Sequence, residues 1–227
     1  MIVNHPDQLL SIEPSKVIAK SLLEIGAVKL NLTDLFTWTS GIKSPIYCDN
    51  RVINSKVDVR DAVISEFSNT VALKFGHEID TIAGVATGGM TYGVLIASRL
   101  NLPFIYVRSE RKEHGLKKVV EGDYKPGERV VLIEDHISTG KSSIQAVEHL
   151  REEGIEVVCL LSIMTYGFKD AEKAFKEKNI QFASICNLDT ILDVAKEEGK
   201  ITEEEAKTII EFRNSPRTWG PNKEIKG

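Results

Sequence analysis

Residues 129–143 read RVVLIEDHISTGKSS and constrain the fold more than any other stretch. Residues 130–133 are aliphatic, the composition of a strand buried on both faces of a parallel sheet. Glu134 and Asp135 follow at the predicted carboxyl end of this strand, and residues 138–143 are small and hydroxylated. Ligands of open α/β sheets bind there, beside helix amino termini whose N–H groups and dipole favour anions. The stretch predicts a phosphate cradle beside two carboxylates, which must face sugar hydroxyls or a metal ion.

The rest of the chain alternates between predicted strands and helices, which indicates a parallel sheet with right-handed crossovers. Strands are predicted at 79–85, 103–107, 130–133, 157–163 and 182–186. Helices are predicted at 14–26, 55–75, 91–100, 142–153, 170–178, 189–198 and 202–212. Thr202 and Glu205 form a capping-box pattern. Residues 36–51 are predicted to form short strands joined by a turn at Ser40 and Gly41.

Composition narrows the class of protein. A chain of 227 residues fits one large domain, and its net charge of −4 argues against nonspecific nucleic-acid binding. We expect no membrane span, because no apolar run approaches about 20 residues, and the amino terminus lacks a signal-peptide pattern. Cys48, Cys159 and Cys186 show no C-x-x-C spacing, which favours a reducing cytoplasm.

The end of the opening stretch, Gly140-Lys141-Ser142, resembles the end of the P-loop G-x-x-x-x-G-K-[ST]. That motif needs glycine at position 135, where Asp135 would instead point negative charge into a triphosphate. The order of four apolar residues, two acids and S-T-G-K-S resembles the phosphoribosyl-diphosphate (PRPP) signature of type I phosphoribosyltransferases.

Three further stretches resemble the orotate-using members of that family. They are FTWTSGIKSPIYCDNR at 36–51, VRSERKEHG at 107–115 and the predicted helices after Asp189, which are similar to the family's small hood. The resemblance implies a central parallel sheet flanked by helices, in a single domain spanning 1–227. It implies a core at about 55–187, a hood at about 28–54 and 188–215, and a catalytic lid at about 108–124.

The implied reaction moves the phosphoribosyl group from PRPP to orotate and releases diphosphate. Positive charge then develops on the sugar, so anions are needed near the ribose and cations near the diphosphate. The resemblance also implies Mg²⁺ on the diphosphate. It implies a homodimer in which each lid closes over the neighbouring subunit's site, excluding water.

The resemblance assigns residues to each of these tasks. The implied catalytic residues are Lys112, His114, Glu134 and Asp135. The implied PRPP-binding residues are Arg108, Lys112, His114, Glu134, Asp135, His136, Ile137, Ser138, Thr139, Gly140, Lys141 and Ser142. The implied orotate-binding residues are Ser138, Lys43 and Tyr47, with Lys43 a cation for the orotate carboxylate and Tyr47 an aromatic wall.

The chain departs from the family pattern at four places. Lys141 stands where a small residue is common, Ser109 where many members have lysine, and Thr39 where some have lysine. Some members carry an arginine near the position of residues 164–166, and this chain has none there. Two alternatives stay open: a phosphoribosyltransferase for another base, and a regulator of the same fold that senses PRPP.

Overall fold

A computed structural model of the protein describes residues 12–108 and 119–224. Its strands are β1 (Val28–Leu30), β2 (Phe36–Thr37), β3 (Lys43–Ser44), β4 (Ile46–Cys48), β5 (Thr81–Val85), β6 (Phe104–Val107), β7 (Val120–Glu121), β8 (Arg129–Ile137), β9 (Glu156–Thr165) and β10 (Phe182–Asn187). Its α-helices are α1 (Ile12–Glu24), α2 (Val57–Lys74), α3 (Gly88–Leu100), α4 (Lys141–Glu152), α5 (Lys169–Glu177), α6 (Leu188–Glu197) and α7 (Glu203–Asn214). Short 3₁₀ helices span Asn50–Ser55, Gly76–Glu78 and Gly220–Glu224.

The central sheet has six strands in the order β10-β9-β8-β5-β6-β7. Five strands are parallel, which confirms the predicted fold class, and β7 pairs antiparallel with β6 at the edge. β7 was not predicted, because a strand of two residues is too short to show alternation. β7 falls inside the segment predicted as a lid.

Strand β8 is longer than its predicted bounds of 130–133. It runs from Arg129 to Ile137, so Glu134 and Asp135 lie within the strand and not after it. The prediction was wrong because β9 is equally extended and continues the ladder, pairing Glu134 with Ser162 and Ile137 with Thr165. Ladder hydrogen bonds use the backbone, so polar side chains did not end the strand.

The crossovers diverge between the two central strands. α3 connects β5 to β6 in one direction, and α4 connects β8 to β9 in the other. Right-handed crossovers in opposite directions place α3 and α4 on opposite faces of the sheet. The carboxyl ends of β5 and β8 therefore form a topological switch point, where open α/β sheets bind ligands.

Sequence patterns placed the helices within a few residues. The stripe on α2 is buried at Val63, Phe67 and Val71, as its period predicts. The capping box of α7 is present in both directions between Thr202 and Glu205. Within residues 12–108 and 119–224, no helix has the length and apolar character to cross a membrane.

The hood covers the carboxyl edge of the sheet near β9. β1 pairs with β4, and β2 with β3, each antiparallel. Trp38 of the turn between β2 and β3 packs edge-on against Tyr166 at 5.3 Å and against Phe212 of α7 at 5.8 Å between ring centroids. These aromatic contacts hold the amino-terminal segment, the end of β9 and α7 together. The division into core and hood stays a prediction.

Candidate active site

The crevice at the switch point is narrow because glycines line it. A Cβ atom at Gly88 would overlap the carboxylate of Asp135, and one at Gly89 would overlap the carbonyl oxygen of Ile133. The start of α3 thus lies directly against β8. The small-residue turn at 86–89 makes this contact, and the Ala86–Thr87 peptide within it is cis.

Glu134 is the buried member of the acidic pair, with 4% of its surface exposed. Its Oε1 accepts a hydrogen bond from Asp135 N at 3.1 Å, and its Oε2 accepts one from Ser143 Oγ at 3.2 Å. Burial raises the pKa of Glu134 well above its ordinary value, and the charge of Asp135 raises it further. Glu134 therefore keeps its proton to a higher pH than a solvent-exposed glutamate does. Its two hydrogen bonds tie β8 to the first turn of α4.

Asp135 is the member that faces the crevice, with 15% of its side chain exposed. Its Oδ1 accepts a hydrogen bond from His136 N at 2.8 Å. Burial raises the pKa of Asp135, but interactions with His136 outweigh burial and the pKa ends below its ordinary value. The pKa values of the two acids are thus shifted in opposite directions, so that Asp135 loses its proton more readily than Glu134.

His136 lies between Asp135 and the hood. Its Nδ1 is 3.2 Å from Asp135 Oδ1, within ion-pair distance but not aligned for a hydrogen bond. Its ring contacts Tyr166 at 6.2 Å between centroids. Burial lowers the pKa of His136, yet the proximity of Asp135 raises it above its ordinary value. The site therefore favours a charged imidazole here.

The predicted phosphate cradle, residues 138–142, is the turn from β8 into α4. Gly140 is the N-cap of α4 and has φ of +73°, a conformation that suits glycine. A Cβ atom there would come within 2.8 Å of Phe175 Cζ. Within the described residues no side chain caps α4, so the N–H groups of its first turn are available to an anion.

The cradle's side chains differ in exposure. Ser138 is half-buried, while Thr139, Lys141 and Ser142 are exposed around the start of α4. Ile137 is buried in the core, and its carbonyl oxygen accepts a hydrogen bond from Tyr166 N at 2.9 Å. Ile137, one of the predicted PRPP-binding residues, therefore packs its side chain in the core of the protein.

Arg108 directly follows β6, further along the edge of the sheet. Arg108 Nη1 is 3.6 Å from Glu121 Oε1, and Arg108 N donates to Val119 O at 2.9 Å, which anchors the first residue of the predicted lid. Lys112 and His114 lie outside the described residues. In the hood, Lys43 Nζ donates to Thr37 Oγ1 at 2.7 Å, and Tyr47 stacks on Phe36 at 5.5 Å. The orotate-binding role of Lys43 and Tyr47 stays a prediction.

A buried asparagine that sequence reasoning missed connects hood and sheet. Asn50 is fully buried, and its Nδ2 donates to Asp135 O at 2.8 Å. Tyr92 of α3 donates from its hydroxyl to Asn50 O at 2.6 Å. A single polar residue in a turn-forming segment carries no periodic signal, so only the tertiary contact reveals it.

Metal-binding potential at the site is limited to oxygen donors. The described residues contain no group of three or more His, Cys, Asp or Glu side chains arranged to hold a metal ion. Asp135 is a hard oxygen donor of the type Mg²⁺ prefers, and phosphate oxygens are another. The carboxylate oxygens of Asp135 therefore fit a hard cation such as Mg²⁺.

Comparison with known proteins agrees with this geometry. A family model described as "Phosphoribosyl transferase domain" matches residues 54–197. The fold, the acidic pair on β8 and the uncapped start of α4 thus define a phosphoribosyltransferase.

Individual relatives narrow the family. An orotate phosphoribosyltransferase of Bacteroides fragilis is 46% identical over 208 residues, covering 92% of this chain and 98% of its own. One from Staphylococcus haemolyticus is 46% identical over 201 residues, covering 88% and 99%. The crystal structure of orotate phosphoribosyltransferase from Aeropyrum pernix has a TM-score of 0.69 at 31% identity, covering 82% and 99%. The chain belongs to the orotate phosphoribosyltransferase family.

Proposed function

We propose that the protein transfers the phosphoribosyl group of PRPP to orotate, yielding orotidine 5′-monophosphate and diphosphate in pyrimidine biosynthesis. The observation that carries this proposal is the ionised Asp135 at the switch point, beside the uncapped amino terminus of α4. A sugar carrying a 5′-phosphate fits this arrangement, because the anion site and the carboxylate adjoin in one turn of chain. The named relatives supply the acceptor, orotate.

The cradle would hold the 5′-phosphate through N–H groups of residues 139–142 and the hydroxyls around them. Asp135 would accept hydrogen bonds from ribose hydroxyls and stabilise positive charge on the sugar. Glu134 would fix Asp135 through the Asp135 N–H, since both its oxygens are already hydrogen-bonded within the protein. Ser138 would reach the base from the same turn.

Cations for the departing diphosphate would come from Arg108, Lys112 and His114 of the lid. The diphosphate oxygens would hold Mg²⁺, which neutralises part of their charge when bound. The glycines of α3 would allow the diphosphate to approach the backbone closely. These assignments rest on the family resemblance and on the position of Arg108 at the edge of the crevice.

We further propose a homodimer in which the lid of one subunit covers the site of the other. Val94 and Leu95 of α3 are 45% and 36% exposed, an apolar surface near the crevice that a second subunit would cover. The three cysteines are buried free thiols, which supports a cytoplasmic location. Sedimentation of the purified chain tests the dimer; a monomer at assay concentration would contradict it.

A base-by-base assay tests the proposed reaction. The full chain is incubated with PRPP, Mg²⁺ and one of orotate, uracil or adenine, and nucleotide and diphosphate are measured. Turnover of orotate alone is the expected result. Turnover of another base without orotate would favour a different phosphoribosyltransferase, and PRPP binding without turnover of any base would favour a PRPP-sensing regulator.

A further inference from the structure

The 3₁₀ helix after β4 carries a guanidinium, Arg51, to which none of the roles above applies. We propose that Arg51 binds the carboxylate of orotate and so determines the base on which the enzyme acts. This inference rests on the proposed function, because it names the group that recognises the acceptor. Orotate carries a carboxylate that uracil lacks, so its recognition requires a cation on the base side of the crevice.

The backbone places Arg51 beside the ribose end of the site. Its neighbour Asn50 is fully buried and is fixed to Asp135 O by the 2.8 Å hydrogen bond from Nδ2. Consecutive Cα atoms are about 3.8 Å apart, so Arg51 begins one residue from a direct contact with β8. Its side chain is nevertheless 70% exposed and therefore accessible to a ligand from solvent.

Asp49 holds the guanidinium in one orientation and leaves its other edge free to bind. Asp49 Oδ1 accepts from Arg51 Nε at 2.6 Å, and Oδ2 accepts from Nη2 at 2.8 Å. Asp49 is itself anchored, since its N–H donates to Ala27 O at 2.7 Å. A guanidinium has five N–H donors, so three remain, including both on Nη1. These suit bidentate binding of a second carboxylate.

Electrostatic effects agree with this position. The charge of Arg51 lowers the pKa of His136, opposing Asp135, and the charge of Asp135 in turn acts on Arg51. Arg51 therefore lies within electrostatic range of both groups at the mouth of the crevice.

Other described cations near the crevice have different positions. Lys43 Nζ lies on Thr37 in the β2–β3 hairpin, Arg108 lies beside Glu121 at the sheet edge, and Lys141 begins α4 on the phosphate side. The end of β9, where some relatives of this family carry arginine, here leads into Tyr166, which is 3% exposed and packs on Trp38. Arg51 is thus the described guanidinium nearest in sequence to the Asn50–Asp135 contact.

Paired variants test the proposal by steady-state kinetics with the full chain. Arg51→Met should raise KM for orotate roughly tenfold to a hundredfold, with KM for PRPP within about twofold. Asp49→Asn breaks the same ion pair but keeps the guanidinium, and should change KM for orotate less than about threefold. Arg51→Lys keeps the charge without the fork and should give an intermediate KM for orotate. The preference for orotate over uracil should fall in Arg51→Met.

The outcomes separate the inference from the proposed function. If the wild-type chain does not use orotate, the proposed function fails and the inference fails with it. If the wild type uses orotate and Arg51→Met has an unchanged KM for it, only the inference is overturned. Equal losses in Arg51→Met and Asp49→Asn, with a matching drop in thermal midpoint, would assign the pair a structural role. If Arg51→Met does not fold, Arg51→Lys provides the test. An equal rise in KM for orotate and KM for PRPP in Arg51→Lys would overturn the inference.

Discussion

The predicted phosphate side of the crevice is one continuous stretch of chain, residues 133–143, whereas the predicted base side is assembled from the hood segments and the end of β9. On the phosphate side, a central strand runs directly into a helix, and the anion site consists of backbone N–H groups. On the base side, the Asn50 side chain crosses 85 residues of sequence to reach Asp135. Backbone sites survive most side-chain changes, while the base side depends on individual side chains. Substrate choice can therefore vary on a constant donor site.

The largest expected effect comes from removing the negative charge of Asp135, which lies between the two sides of the crevice. Asp135→Asn should lower turnover roughly a hundredfold to a thousandfold, because a carboxylate placed where positive charge develops acts mainly in the transition state. Steady-state kinetics with orotate and PRPP measure this. The thermal midpoint serves as the control, and a collapse of folding in place of lost turnover would assign Asp135 to structure.

A backbone change on the phosphate side should have the next largest effect. Gly140→Ala forces a residue with a side chain into φ of +73° and directs its Cβ at Phe175. The left-handed conformation alone costs about 1–2 kcal/mol, so the turn should shift and the Kd for PRPP should rise by roughly tenfold. Isothermal titration with PRPP and Mg²⁺ checks this. Gly127→Ala is the matched control, since that glycine has positive φ and no atom within 4 Å of its would-be Cβ. Equal PRPP affinity in Gly140→Ala and wild type would contradict a backbone phosphate cradle.

The link between the two sides can be cut by itself. Asn50→Ala leaves Asp135 O without its buried donor and should cost about 1–3 kcal/mol of unfolding free energy. It should also raise KM for orotate more than KM for PRPP, because the hood loosens while the cradle stays. Urea unfolding and kinetics measure both effects. Tyr92→Phe, which removes the neighbouring bond but keeps the Asn50 amide, is the control; identical kinetic losses in both would make the Asn50 contact nonspecific.

The smallest expected effect is at the other acid. Glu134→Gln should keep turnover within about threefold, because glutamine matches a protonated glutamate in shape and keeps an oxygen acceptor for Asp135 N. The Ser143 hydroxyl, which donates to Glu134 Oε2 in the wild type, can instead accept from the glutamine NH₂. A loss as large as that of Asp135→Asn would mean that Glu134 acts as an anion.

The same variant has a pH signature. Because burial raises the folded pKa of Glu134 above 4.5, the folded state binds this proton more tightly than the unfolded chain. The unfolding free energy of the wild type should therefore fall relative to Glu134→Gln as pH rises from about 4.5 through the folded pKa. The pKa of Asp135 is lowered, so Asp135 has the opposite effect on the unfolding free energy. Its stabilising contribution is lost as pH falls below 3.8 and through its folded pKa. Urea unfolding from pH 4 to 8 measures the difference, and parallel profiles would contradict a neutral Glu134.

Most of the sheet and its helices could be predicted because their signals are local. Aliphatic runs specified β5, β6 and β9, and a four-residue period specified α2. The end of β8 could not, because its length depends on the partner strand β9 and not on its own side chains. β7 and the 3₁₀ helix at Asn50–Ser55 are too short to show any period.

The candidate site divides along the same line. Residues 134–142 were predicted as a unit because acids, hydroxyls and glycine adjoin in sequence. Asn50, Tyr92 and the Asp49–Arg51 pair were missed because their meaning lies in contacts with distant elements. The opposite pKa shifts of Glu134 and Asp135 could not be predicted from the sequence either, because they depend on the burial and the hydrogen-bond partners of each acid.

The sequence alone determined the parallel sheet, the phosphate cradle and the acidic pair, because each is encoded within one turn or one strand of consecutive residues. The tertiary structure decided which acid faces the crevice and which holds a proton, because packing of α4 and His136 sets their burial and partners. It also decided that the hood is fixed to β8 by Asn50, with a guanidinium oriented beside the donor site. Contacts between segments distant in sequence depend on the folded arrangement, and the two residues that make such a contact show no local sequence pattern that predicts it.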